Sequence, residues 1–246
     1  QPLHCFDADK IKGGKIVVKT VAEGTTFVTL DEVERKLSDK DLMICNTEEP
    51  MCIAGVFGGL DSGTTEQTVD VFLESAYFNP TWVRKTARRH GLSTDSSFRF
   101  ERGIDPNGTI YALKEAALLV QELAGGTISS EIKDNYPAPI ADFTVELNYE
   151  KVHSLIGKTI PVETIKSIVT SLEMKIVNET PEGLTLQVPP YRVDVQRDCD
   201  VVEDILRIYG YNNVEIPTTL KSSLTTKGEV DYSQKLQNLI SEQLVG

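Results

Sequence analysis

The segment Tyr136-Pro137-Ala138-Pro139 divides the chain into two parts with different orders of predicted elements. Two prolines in four residues exclude a helix interior and favour an extended linker. Short β-rich runs followed by two helices precede the linker, and a helix, a helix, a hairpin and a helix follow it. A chain of 246 residues with 40% hydrophobic content is long enough to fold as two domains. The sequence therefore predicts an α+β fold.

The part before the linker has the pattern of a mixed α+β domain over residues 1–131. An Asn79-Pro80 start and a Gly91 stop enclose one helix, and Asp105-Pro106 and Gly125-Gly126 enclose a second. Between turns rich in glycine and charge, β-branched and aromatic residues indicate strands. The predicted strands are Ile16-Val17-Val18, Phe27-Val28-Thr29-Leu30 and Val69 to Glu74.

The part after the linker, residues 140–214, has the pattern of a small winged-helix-like α/β module. Glycine and proline punctuate three helices around one hairpin whose turn is Pro181-Glu182-Gly183. The predicted helices are Tyr149 to Ile156, Pro161 to Leu172 and Cys199 to Tyr209, and the hairpin strands are Met174 to Val177 and Leu184 to Val188. Apolar residues at helical spacing continue to the last residue, and the first residues read as the middle of a domain. We therefore expect this chain to be part of a longer one.

The charge and the cysteines limit the function classes. A formal net charge of −12 repels phosphate backbones, so contact with nucleic acid requires a local basic patch. The four cysteines have no metal or disulfide spacing, which favours reduced thiols in the cytoplasm. We find no apolar run of membrane-spanning length and no signal peptide, so we expect no membrane contact.

Two features before the linker admit both a structural and a functional interpretation. Glycines in the run 54–59 lack the pattern of a phosphate-binding loop, so they mark either tight turns or close approach of a ligand. Four cations between Arg84 and Arg89 lie on one predicted helix, which is either a solvated face or a patch for nucleic acid.

Carboxylates are the candidate site residues. Glu74 ends an apolar strand, where it is either a satisfied buried partner or a ligand group. Asp200, Glu203 and Asp204 share one face of a predicted helix, and Asp194 precedes it. Oxygen ligands of this kind suit Mg²⁺, whereas acidic residues in a first helical turn also complement the helix dipole without any metal.

Ordered motifs in both parts resemble the beta subunits of bacterial-type phenylalanyl-tRNA synthetases. The first part is similar to their editing domain, the second to the domain that follows it, and residues 215–246 to the start of a catalytic-like module. The stretches that carry the resemblance are Gln1 to Asp7, Gly55-Val56-Phe57-Gly58-Gly59, Leu73-Glu74-Ser75-Ala76, Ala87 to Asp95, Arg99 to Pro106, Pro190 to Asp194 and Val202 to Asn213.

The resemblance implies hydrolysis of mischarged Tyr-tRNA(Phe) by the first domain. It assigns recognition of the tyrosine hydroxyl to Glu74 and positioning or proton relay to His4. The pocket wall corresponds to Gly58, Gly59, Thr94 and Ser96. Relatives have a small alanine where this chain has Ser96, which implies a pocket that tolerates a hydroxyl or has altered selectivity. The resemblance also implies hydrolysis by a positioned water instead of covalent catalysis, and no serine or cysteine lies in a nucleophile motif.

The resemblance also implies partners and cofactors. An alpha subunit holds the aminoacylation site in an alpha2-beta2 enzyme, which uses ATP to attach phenylalanine to tRNA(Phe). A Mg²⁺ ion shared with that subunit corresponds to Asp194, Asp200, Glu203 and Asp204. The alternative function is a non-catalytic nucleic-acid-binding adaptor, although the helix from Pro161 lacks a basic recognition face.

Overall fold

A computed structural model describes residues 1–216 and 229–246 of the chain. The fold is the predicted mixture of helices and antiparallel sheets. Its buried apolar residues form two clusters, one between Phe6 and Phe100 and the other between Val145 and Ile205. In the sequence, the linker lies between the residues of these two clusters. The domain limits 1–131, 140–214 and 215–246 stay predictions.

Eight short strands build the first part. A four-stranded antiparallel sheet has the order β2-β5-β6-β7, and two further antiparallel pairs are β1-β8 and β3-β4. The strands are β1 (His4–Asp7), β2 (Val17–Thr20), β3 (Thr26–Val28), β4 (Glu34–Lys36), β5 (Leu42–Cys45), β6 (Pro50–Ile53), β7 (Phe57–Gly58) and β8 (Val71–Glu74). Most of the core comes from β5 and β6, whose residues are nearly all buried.

Three helices follow these strands: α1 (Pro80–Arg89), α2 (Asp95–Phe100) and α3 (Thr109–Ala124). The first helix confirms its predicted start, because the Asn79 side chain accepts hydrogen bonds from the amides of Thr81 and Trp82. The prediction that a helix begins at Asp105 was wrong. The Asp105 carboxylate accepts from the Asn107 amide at 2.9 Å and closes a turn, so α3 begins four residues later. The short α2 was not predicted.

The second part confirms the predicted order of helix, helix, hairpin and helix. One strand that was not predicted, β9, precedes them and completes a three-stranded antiparallel sheet of order β10-β11-β9. The elements are β9 (Phe143–Asn148), α4 (Tyr149–Ile156), α5 (Val162–Ser171), β10 (Lys175–Thr180), β11 (Gly183–Val188) and α6 (Asp198–Tyr209). Apolar faces of α4, α5 and α6 cover this sheet and form the second cluster.

A last helix, α7 (Glu229–Val245), fits the helical pattern predicted near the end of the sequence. Residues 217–228 lie outside the described residues, so the predicted catalytic-like module over 215–246 stays a prediction. None of the helices in the described ranges has both the length and the apolar character needed to cross a membrane.

Candidate functional site

A cavity of about 270 Å³ lies where β1, β6, β7, β8 and the start of α2 meet. Five of the six site residues predicted for the first part line it. These are His4, Gly58, Glu74, Thr94 and Ser96, together with Cys52, which sequence reasoning did not single out. The sixth predicted residue, Gly59, follows Gly58 in the chain and does not line the cavity. Residues far apart in the sequence thus converge on one site.

Strand pairing brings the two ionisable side chains of the cavity together. In the antiparallel pair β1-β8, His4 is directly opposite Glu74. Residues directly opposite each other in such a pair project to the same face of the sheet, with Cβ atoms about 5 Å apart. The 69 residues between them in the sequence therefore do not separate the imidazole from the carboxyl group.

The Glu74 carboxyl group is partly buried in the wall of the cavity. Burial raises its pKa to about 7 from an ordinary value of 4.5. Within the residues that the structure describes, no hydrogen bond or ion pair reaches this side chain. The interpretation of Glu74 as a satisfied buried partner is therefore wrong for this chain, and a group that enters the cavity would meet a free carboxyl group.

Among the described residues His4 also has no polar partner. Its Nε2 atom is buried and makes no hydrogen bond, and burial lowers the pKa of the imidazole below its ordinary value. The ring packs against Phe6 with a centroid distance of 4.2 Å. At neutral pH the imidazole is therefore uncharged, and one of its nitrogens can accept a proton.

Gly58 and Gly59 lie so close to neighbouring atoms that neither position has room for a side chain. A side chain on Gly58 would place its Cβ 2.7 Å from Cε1 of His4, and one on Gly59 would place its Cβ 2.6 Å from the Met51 carbonyl oxygen. Both distances are shorter than van der Waals contact. Of the two interpretations left open for this run, the structure supports a tight turn at Gly55, whose φ is +69°, whereas the group that approaches Gly58 is the His4 ring of the chain itself.

The two hydroxyl groups at the start of α2 hold the wall in place. Thr94 caps the helix by accepting from the Ser97 amide at 3.0 Å, and its hydroxyl donates to the Val56 carbonyl at 2.7 Å. The Ser96 hydroxyl donates to the Gly55 carbonyl at 3.0 Å. Since each hydroxyl proton is already donated to the backbone, Thr94 and Ser96 position the wall.

Cys52 lines the same cavity near Glu74. Burial, followed by the neighbouring Glu74 charge, raises the pKa of its thiol well above the ordinary value. The sulfur donates to the Phe57 carbonyl at 3.4 Å. A thiol that stays protonated is a poor nucleophile, so the cavity contains no activated serine or cysteine among its lining residues.

The carboxylates of the second part have a different environment. Asp200 accepts hydrogen bonds from the Arg197 side chain, at 2.9 Å from Nη2, and from the backbone amide of the same residue. The hydrogen bond from the Arg197 side chain, together with those from the backbone amides of Arg197 and Gln196, lowers the pKa of Asp200 to about 2. Glu203 lies 3.4 Å from Arg207 on the same helix.

Asp204 is buried, and its carboxylate lies 2.5 Å from Nη2 of Arg192. Asp194 is exposed and 4.0 Å from Nε of the same arginine. The described part of the chain contains no group of three or more side chains placed to hold a metal ion. The four carboxylates predicted for Mg²⁺ each lie within 4.0 Å of an arginine. Their arrangement therefore does not fit a metal site formed by this chain alone.

Sequence matches identify the family of the chain. The B3/4 domain family matches residues 1–125, which include the whole cavity and more than half of the chain. The chain belongs to the B3/4 domain family. The tRNA synthetase B5 domain family matches residues 145–211, the part that contains the second cluster.

The relatives of this B3/4-domain chain agree with the resemblance inferred from its motifs. It is 82% identical over 246 residues to the phenylalanine-tRNA ligase beta subunit of Bacteroides fragilis. Identity to the subunit of the same name from Porphyromonas gingivalis is 57% over 247 residues. Both matches cover 100% of the chain and 30% of the relative, so the chain spans under a third of the length of these relatives. The predicted resemblance to phenylalanyl-tRNA synthetase beta subunits is confirmed.

A solved structure is also similar to this chain. The crystal structure of an N-terminal fragment of the phenylalanyl-tRNA synthetase beta subunit from Pyrococcus horikoshii is 17% identical, with a TM-score of 0.46. The match covers 85% of this chain and 60% of that one. The family assignment depends on the sequence matches and not on this likeness.

Proposed function

We propose that this chain hydrolyses mischarged Tyr-tRNA(Phe) in the cavity between His4 and Glu74, as part of a phenylalanine-tRNA ligase beta subunit. The observation that carries the proposal is the Glu74 carboxyl group, which lies directly opposite His4 and has no polar partner among the described residues. The relatives are named beta subunits, which implies an alpha subunit as partner. We assign the ATP-dependent attachment of phenylalanine to tRNA(Phe) to that assembly.

Glu74 supplies the selectivity. A pocket that fits a benzyl group cannot strongly reject the same group with an added hydroxyl, so a second, hydrolytic site is useful. The phenol of tyrosine donates a hydrogen bond to Glu74, whereas phenylalanine would leave the carboxyl group without a partner. An unsatisfied buried group costs about 1–3 kcal/mol, and more when it is charged. The site therefore accepts tyrosine and disfavours phenylalanine.

His4 assists the attack of water on the ester. The water oxygen bonds to the carbonyl carbon, the water proton moves to a base, and the ribose oxygen takes a proton as it leaves. An uncharged imidazole with a free nitrogen suits the role of that base. The protonated thiol of Cys52 and the bonded hydroxyls of Thr94 and Ser96 support water as the nucleophile.

No metal ion takes part in this proposal. The Mg²⁺ shared with an alpha subunit stays a prediction, since the carboxylates predicted for it are paired with arginines in this chain. Cytoplasmic location likewise stays a prediction.

Deacylation of preformed Tyr-tRNA(Phe) by the complete alpha-beta enzyme tests the proposal. We expect Glu74→Ala to lower the rate at least tenfold and to reduce the preference for Tyr-tRNA(Phe) over Phe-tRNA(Phe), because the phenol loses its acceptor. The matched control is Glu115→Ala, which removes an exposed carboxylate from α3.

Unchanged clearance of Tyr-tRNA(Phe) by the Glu74→Ala enzyme would refute the assignment of Glu74. An adaptor that only binds nucleic acid would show no deacylation by the wild-type enzyme either. The α5 helix argues against such an adaptor, because its Lys166 is paired with Glu163 and Glu179.

A further inference from the structure

One side chain of the cavity has no part in the hydrolysis proposed above. Cys52 lies on β6, is 4% exposed and lines the cavity with His4, Gly58 and Glu74. Its thiol stays protonated because burial raises its pKa, so the sulfur does not attack the ester. Any effect of Cys52 on a substrate therefore depends on where the sulfur lies and how much space it fills.

Strand pairing places the Cys52 side chain on the face that meets His4. In the antiparallel pair β6-β7, Cys52 is directly opposite Gly58, so the two residues project to the same face. A Cβ on Gly58 would lie 2.7 Å from Cε1 of His4. The thiol and the imidazole therefore lie on the same side of Gly58.

The Cys52 sulfur also lies near the carboxyl group of Glu74. Burial is the main cause of the raised pKa of the thiol, and the charge of Glu74 is the second cause. A charge shifts a pKa in this way when it lies within several ångströms. Glu74 is itself directly opposite His4 and has no polar partner among the described residues. Cys52, His4 and Glu74 thus surround one space, to which two different strand pairs contribute.

The thiol proton of Cys52 is directed at the backbone. Its Sγ atom lies 3.4 Å from the Phe57 carbonyl oxygen and 3.5 Å from the Ile53 carbonyl oxygen. A thiol is a weak donor with one proton, so these contacts leave the carboxyl group of Glu74 available to a ligand. What Cys52 contributes to the cavity is therefore the volume of a sulfur atom at a fixed position.

We propose that Cys52 is a specificity-determining residue of the cavity, whose sulfur fills the space beside the hydroxyl group of a bound tyrosine. The phenol donates to Glu74, so the ring carbon next to the hydroxyl-bearing carbon lies against the sulfur. A tyrosine that carries an extra atom at this ring carbon is excluded, whereas unsubstituted tyrosine fits. In a tight pocket one methylene group changes discrimination between substrates about 10–200-fold, and a sulfur atom is larger. This inference rests on the proposed function above.

Removal of the sulfur tests the proposal because it creates space of a known shape. The complete alpha-beta enzyme is given Tyr-tRNA(Phe) and tRNA(Phe) that carries 3-chlorotyrosine, whose chlorine adjoins the hydroxyl group and is similar in size to sulfur. We expect Cys52→Ala to raise the ratio of the 3-chlorotyrosine rate to the tyrosine rate about tenfold above that of the wild type. A ratio of two rates does not depend on the fraction of enzyme that is folded, so a loss of stability does not mimic this result.

The matched control is Cys45→Ala. Cys45 lies on the neighbouring strand β5, is 1% exposed and does not line the cavity. An unchanged ratio in Cys52→Ala, or an equal rise in Cys45→Ala, would overturn the role of Cys52 and leave the hydrolytic proposal standing. Failure of the wild-type enzyme to clear Tyr-tRNA(Phe) would overturn both.

Added volume at the same position gives the opposite test. Cys52→Val replaces the sulfur by two methyl groups, which fill more of the space beside Glu74. We expect the rate of Tyr-tRNA(Phe) deacylation by the complete enzyme to fall about tenfold. Cys45→Val adds the same volume to the core away from the cavity and is expected to keep the wild-type rate. Equal rates for Cys52→Val and wild type, or equal losses in the two variants, would show that the sulfur does not limit this space.

Discussion

The cavity of the first part and helix α6 both hold acidic residues that the sequence marks as candidate site residues, yet their environments are opposite. Burial raises the pKa of Glu74 to about 7, and no partner within the described residues offsets it. In α6 the Arg197 side chain lowers the pKa of Asp200 to about 2, and Asp204 is paired with Arg192. A carboxyl group without a partner is costly for the fold and available to a ligand, whereas a paired one stabilises the fold.

The same comparison explains the direction of each pKa shift. Desolvation disfavours the charged form of Glu74, and a hydrogen-bonded cation favours the charged form of Asp200. If the partner, and not the number of acidic residues, separates the two regions, removing each carboxylate will change the stability of the chain to a different extent.

Removal of the Asp204 carboxylate is expected to have the largest effect on stability. Asp204→Ala leaves the largely buried Arg192 guanidinium, 17% exposed, with only the exposed Asp194 at 4.0 Å, and we expect the free energy of unfolding to fall by about 3 kcal/mol. Urea denaturation of the chain measures this. The double variant with Arg192→Ala is expected to lose less than the sum of the two single losses. Strict additivity would mean that the pair contributes nothing specific.

Glu74→Gln is expected to have a smaller effect with the opposite sign and a dependence on pH. The raised pKa means that the unfolded chain releases this proton near pH 4.5 and the native chain only near pH 7. Wild-type stability therefore falls between these values, while the variant avoids the loss. We expect the variant to be more stable by about 1–3 kcal/mol at pH 8 and by nothing at pH 4.

The pH dependence of this difference is the decisive measurement. Glu115→Gln, in the exposed part of α3, is the control for a change of charge without burial. A stability difference for Glu74→Gln that is the same at pH 4 and pH 8 would show that the Glu74 carboxyl group is not desolvated in the native chain.

Glu203→Gln is expected to change stability least. Its carboxylate is 63% exposed and its partner Arg207 is 61% exposed, and exposed pairs of this kind contribute about 0–1 kcal/mol. Denaturation at low and high salt should give nearly the same small difference. A loss above about 2 kcal/mol would place Glu203 with Asp204 as a structural residue of α6.

Much of the fold could be predicted from local signals. Asn79-Pro80 and Gly91 enclose α1, and the predicted limits of α4 are the observed ones, because caps and glycines act on their own turn. The missed elements are α2, β9 and five strands of the first part, β1 and β4 to β7. Helix α2 is only six residues long, and β9 needs its neighbour β11 to satisfy its backbone.

The candidate site could be predicted in its members but not in its geometry. Motif order assigned His4, Glu74, Gly58, Thr94 and Ser96, and the structure places all five around one cavity. Cys52 was missed because no spacing in the sequence connects it to Glu74. Asp200, Glu203 and Asp204 were grouped by helical spacing, which takes no account of the arginines that reach Asp200 and Asp204 from the preceding loop.

The family, the order of most elements and the residue types of the site could be inferred from the amino-acid sequence. Which carboxyl group lacks a polar partner is visible only in the tertiary structure. Local signals depend on neighbours within a few residues, and a pKa or an ion pair depends on groups brought close from distant positions. His4 and Glu74 meet because β1 pairs with β8, and Asp41 is bound by Arg89 and His90, which lie 48 and 49 residues away in the sequence.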